Sequence, residues 1–227
     1  MTAVLFIGLV AVIAALVFGA LRHATVGWPL SVGVALVYLV IPGVLASLGM
    51  LDRYSPLPAP ALVMILLIAI ITLAITSSPV GRRVIGAVGL PALVGVQAFR
   101  IPVEWLLHRL YQEGVVPVQM TYAGRNFDIV TGLTAGALAV WLLRGRPSRR
   151  LVLAWNLLGL ALLVNIVTIA VLSTPVPFRR FLDDPPNRLP SLFPYVWLPT
   201  FLVQVALAGH VLVFRRLRAP QVANGRQ

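Results

Sequence analysis

The sequence predicts an all-α fold, a polytopic transmembrane bundle of about seven membrane-spanning helices. Of its 227 residues, 59% are hydrophobic and only 11% charged, against roughly 25% charged in a soluble domain. The mean hydropathy is +0.96. Runs of about 18 or more apolar residues recur, each bounded by arginines, prolines or turn formers. Too few charges remain to cover a water-facing surface, so the apolar side chains need lipid as their solvent.

The first span is expected over residues 3–21, closing at Arg22 and His23. No basic segment precedes this stretch and it is long for a signal core, so it reads as a retained helix. The second runs over 28–50, entered at Trp28 and carrying Pro42 inside it. Ser55-Pro56-Leu57-Pro58 makes a stiff turn, because proline lacks the donor a helix interior needs. The third covers 60–77, the fourth 84–112, the fifth 128–143, the sixth 151–172 and the seventh 194–214. Residues 1–218 form one transmembrane domain, and 219–227 a short cytoplasmic tail.

The formal net charge of +12 comes from arginine alone. In a soluble protein it would suggest nucleic acid; here the arginines cluster at helix ends, so no nucleic-acid partner is expected. Arg22, Arg82, Arg83, Arg144, Arg146, Arg149, Arg150, Arg215, Arg216, Arg218 and Arg226 fall on one side. Arg53, Arg109, Arg125, Arg179, Arg180 and Arg188 fall on the other. The richer side is cytoplasmic by the positive-inside rule, which puts the N-terminus outside and the C-terminus in the cytoplasm. All-arginine usage fits a GC-rich bacterial genome and a bacterial cytoplasmic membrane. The bilayer is the expected partner, and a homo-oligomer is compatible with the sequence.

The fourth helix carries the polar residues. At about 100° per residue, Gln97, Arg100, Glu104, His108 and Tyr111 share a wedge of about 80°. Arg100 stands about 24 Å from Val84 at 1.5 Å per residue, in the outer leaflet of a core about 30 Å thick. The i,i+4 spacing predicts an Arg100–Glu104 ion pair, and Pro102 a kink beside it. Asn126 and Asp128 at the mouth of the fifth helix, Asn165 on the sixth and Gln204 on the seventh reach similar depth. Together these nine residues make a candidate ligand-binding pocket open to the outside.

No metal or other cofactor is expected. Glu104, His108 and Asp128 could share a divalent ion, but Arg100 on the same face repels it. There is no cysteine for a thiolate site and no lysine for a retinal Schiff base. His23 and His210 fall near the cytoplasmic side, away from His108.

Arg100-Ile101-Pro102-Val103-Glu104, Met120-Thr121, Gly124, Asn126 and Asp128 resemble a group of uncharacterised bacterial multi-pass membrane proteins. The likeness covers about forty residues, with weaker echoes at Trp155-Asn156 and Val196-Trp197-Leu198-Pro199. It implies a shared fold and site, and no activity.

Three functions remain open from the sequence. The first is binding or transport of a small polar or anionic solute, with Arg100 on the solute, Glu104 as counter-ion or proton carrier and His108 as gate. The second is an enzyme acting on a lipid or lipid-linked substrate, with Glu104 or His108 as base and Arg100 on an anionic head group. The third is a sensor or partner subunit of a membrane complex.

Overall fold

The computed structural model describes residues 1–145 and 147–218; Arg146, Arg226 and the expected tail lie outside the described residues. Among those described, the chain is all-α, with no strand. Six helices are long and apolar enough to cross a membrane: α1 Thr2–His23, α2 Trp28–Ser47, α3 Pro60–Ser77, α5 Leu90–Gln112, α7 Arg149–Leu172 and α8 Leu198–Arg218. Between them lie the short α4, Pro79–Ala87, and the 16-residue apolar α6, Ile129–Arg144.

One cluster of buried side chains gathers the C-terminal halves of α1 (Leu21), α6 (Leu138) and α8 (Leu212) with α4 (Val84) and the first turns of α5 (Leu93) and α7 (Val152). At the opposite end Ala46 of α2 meets Ala61 of α3 and Val196 before α8. The helices therefore alternate in direction. Outside them, Arg188 forms an ion pair with Asp52 at 3.0 Å and Ser191 donates to the same carboxylate at 3.0 Å, tying the α2–α3 link to the α7–α8 link. Tyr54 donates to Ser191 at 3.1 Å, and burial pushes its phenol above the ordinary range, partly offset by that bond.

The fourth helix does not run 84–112. Val88 and Gly89 are extended, and α5 starts at Leu90. Pro91 explains the break, since it can neither donate to the carbonyl of Ala87 nor fit its ring against it. Residues 79–87 become a separate amphipathic helix, with Gly81, Val84 and Ile85 buried and Arg82 and Arg83 exposed. Arg100 then lies about 15 Å from the start of a 23-residue helix, near its middle and not in its outer part. Ahead of Pro102 the helix tightens into a 3-10 turn at Val96–Phe99.

The second helix ends at Ser47, three residues early, in a turn with Gly49 at φ +70°. Pro42 stays inside it because a π-turn, Leu36–Val40, absorbs the lost hydrogen bond. The neighbouring α8 region supplies donors. Thr200 Oγ1 bonds the carbonyl of Tyr38 at 3.2 Å, and Trp197 Nε1 that of Leu39 at 2.8 Å. This is how an interrupted helix keeps its backbone satisfied in lipid. The last helix begins at Leu198 with its own π-turn and continues to Arg218, so His210 sits in its interior.

Candidate functional site

The centre of the bundle holds a connected set of buried polar side chains. Arg100, 2% exposed, forms an ion pair through Nη1 with Asp128. The same nitrogen reaches the carbonyl of Gly159 at 3.4 Å, and Nη2 meets His210 Nε2 at 3.0 Å. Arginine only donates, so Nε2 of His210 accepts. Its Nδ1 therefore carries the hydrogen and donates to Asn156 Oδ1 at 2.8 Å, while Asn156 Nδ2 donates to the backbone of His210 at 3.1 Å. Four helices meet in this network: α5, α7, α8 and the start of α6.

The sequence expectation of an Arg100–Glu104 pair is corrected. Glu104, 1% exposed, lies on the next turn, and its two carboxylate oxygens are held by Asn126 Nδ2 at 2.7 and 2.6 Å. A link folded into the bundle makes this pairing. Asn126 Nδ2 also donates to Met120 O at 3.0 Å, and its Oδ1 accepts from the Asp128 amide at 3.0 Å. Ala123 N and Asn126 N bond to Thr121, and a Cβ on Gly124 would come within 2.6 Å of Gln119 Cα. The link has room there for glycine alone. Met120, Thr121, Gly124 and Asn126 thus form one lock, which sets Asp128 at the first turn of α6, beside Arg100.

The remaining expected residues are distributed differently. Gln97 is fully buried and donates to Ala206 O at 3.0 Å, leaving Oε1 without a partner. Gln204 is buried, donating to Pro199 O at 2.9 Å and accepting from Thr72 Oγ1 at 3.1 Å; Thr72 in turn bonds Tyr38 at 2.9 Å. His108 stands apart from the cluster, stacked on Tyr122 at 4.5 Å and beside Gln112. Tyr111 is 38% exposed, and Asn165 bonds the Arg125 carbonyl near the surface. Sequence reasoning left His210, Asn156 and Thr72 out of the candidate site, although each is polar in an apolar helix. That contrast was the available signal. Among the described residues no three His, Asp or Glu side chains are grouped to hold a metal ion.

A cavity of about 290 Å³ reaches this cluster. Arg100, Glu104 and Asp128 form its polar floor, and Gln204 lies on its wall. Thr168, Thr174 and Asn187 also line it, and the rest is apolar, with Leu62, Ile65 and Ala69 from α3 and Leu160, Val164 and Val167 from α7. These rim residues are half-exposed, and Val164 is 58% exposed, so the cavity is lined by surface residues of α3 and α7. A second cavity of about 500 Å³ lies among α1, α2, α3, α4, α5 and α8; Thr72 lines it, and Gln204 lines both.

Fold and site together define a multi-pass helical membrane protein with a buried ionic cluster at the base of an apolar cavity. Residues 57–218 match the family described as Domain of unknown function (DUF8737), and the chain belongs to it. The match contains every member of the cluster and leaves α1 and α2 outside it. No curated protein and no solved structure matches the chain.

Proposed function

We propose that this protein binds an amphipathic ligand, a lipid or a lipid-linked molecule, that enters from the bilayer between α3 and α7. The apolar chain lies against α3, α7 and α8, and the polar head reaches Glu104, Arg100 and Asp128. The observation that carries the reading is the cavity itself: mostly apolar walls, half-exposed lining residues on α3 and α7, and a charged floor. A ligand drawn from water would meet mostly hydrocarbon. A small anion would also find Arg100 already engaged by Asp128 and His210. The test is photo-crosslinking in nanodiscs with a diazirine-bearing alkyl chain. Label should concentrate on the cavity-lining positions of α3 and α7; even labelling of all lipid-facing helices would refute the reading.

Transport of a small solute keeps one specific support. Gln204 lines both cavities, and Thr72, which donates to it, lines the second, so a solute route from one to the other would pass this pair. Thr72→Val with Gln204→Leu should then alter solute flux in proteoliposomes, and unchanged flux would count against passage by this route.

The proposal includes a topology: α6 as a seventh crossing, the N-terminus outside and the C-terminus in the cytoplasm of a bacterial inner membrane. The arginine asymmetry supports it. A C-terminal reporter should be active only in the cytoplasm; periplasmic activity would overturn it.

A further inference from the structure

We infer that the head group this cavity selects is a protonated amine with a neutral acceptor oxygen beside it. The inference rests on the amphiphile reading above and specifies the ligand's chemistry. Formal charge is the starting point. The buried cluster holds one guanidinium, Arg100, and two carboxylates, Asp128 and Glu104. Asp128 is committed to Arg100 by direct contact. His210 brings no positive charge, because Arg100 donates to its Nε2 and Asn156 fixes its hydrogen on Nδ1. Glu104 has a single amide donor, Asn126, for both oxygens, and among the described residues no cation forms an ion pair with it.

With Glu104 ionised, the cluster has one carboxylate more than its cations balance, and that carboxylate lines the cavity. A lone buried carboxylate in lipid is costly; it either takes up a proton or gains a counter-ion, and a bound cation holds it ionised. An ammonium supplies both the charge and strong charge-assisted donors. Arg100 adds a second requirement, since its Nε–H is buried without a partner. It calls for an acceptor such as a hydroxyl, ester or amide oxygen. A zwitterionic head group satisfies both groups but leaves the surplus charge unbalanced, and an anionic one doubles it. The chain's overall +12 charge lies at helix ends and points the opposite way, so global charge is a poor guide to this site.

The experiment compares four dodecyl amphiphiles binding to the full chain in phosphatidylcholine nanodiscs, with empty nanodiscs subtracted. The probes are dodecylammonium, dodecanol, dodecyl phosphate and the dodecyl ester of glycine, which carries both an ammonium and an ester oxygen. The glycine ester should bind tightest and dodecylammonium next, each about ten-fold or more tighter than dodecanol. Glu104→Gln, which keeps the bond to Asn126, should erase that preference without abolishing chain binding. Equal binding of all four, or a preference for the phosphate, overturns the inference and leaves the amphiphile reading standing. Failure of every probe to bind refutes both. The wild-type comparison decides the matter even if the variant does not fold.

Discussion

His210 accepts a hydrogen bond from Arg100 at 3.0 Å although the two stand 110 positions apart. The bond joins α8 to the middle of α5, and Asn156 of α7 fixes the imidazole from its far side. Together with Asp128 at the head of α6, it makes four helices depend on one guanidinium.

Removing one partner of the Arg100–Asp128 pair should be far worse than removing both. Arg100→Leu strands Asp128, and Asp128→Leu strands Arg100, each at about 3–5 kcal/mol. The double variant should recover a large part of that loss in thermal unfolding of the purified protein. Additive losses would show that the two do not act as a pair.

Gly159 admits the His210 ring. A Cβ there would stand 2.6 Å from His210 Cε1 and 2.8 Å from Thr131 Cγ2, so Gly159→Ala should destabilise by about 1–3 kcal/mol. Gly136→Ala on α6 meets nothing within 4 Å and should be neutral or stabilising by up to about 1 kcal/mol. Equal effects in a melt would contradict the packing described.

Ala69 lines the cavity from α3 and is half-exposed at its mouth. Ala69→Phe should fill that space, lowering dodecylammonium binding about ten-fold or more while leaving the melting temperature nearly unchanged. Unchanged affinity would place the ligand elsewhere.

Trp197 and Thr200 satisfy carbonyls that the π-turn before Pro42 leaves open. Thr200→Val should cost about 1–3 kcal/mol by leaving a buried acceptor unpaired. In a Pro42→Ala background, where the helix can satisfy itself, that penalty should shrink. A penalty that Pro42→Ala leaves intact would break the link between the two helices' irregularities.

The apolar runs made the long helices legible, and the polar residues of α5 marked the site. The break at Gly89 was hidden because Val84–Val88 are apolar or small enough to extend any hydropathy window across it. That misplaced Arg100 in depth. Reading the last helix as ending near 214 likewise pushed His210 to the cytoplasmic edge, out of reach of its partner. The Arg100–Glu104 pairing failed for another reason. Helical spacing sees neighbours on one helix, while the competing carboxylate, Asp128, arrives through a folded link that local periodicity does not encode. His108 and Tyr111 do share the face of Arg100. That far along α5, however, the face meets Tyr122 of the link and the surface instead of the bundle core.

Amphiphile binding requires Glu104 at the base of a cavity that lipid can enter. The most direct measurement is an experimental density map of the full chain in lipid nanodiscs soaked with dodecylammonium. Elongated density is expected to enter between α3 and α7 and to end within hydrogen-bond distance of the Glu104 carboxylate. Helices α3 and α7 packed against each other, with Glu104 sealed from any ligand density, would contradict it.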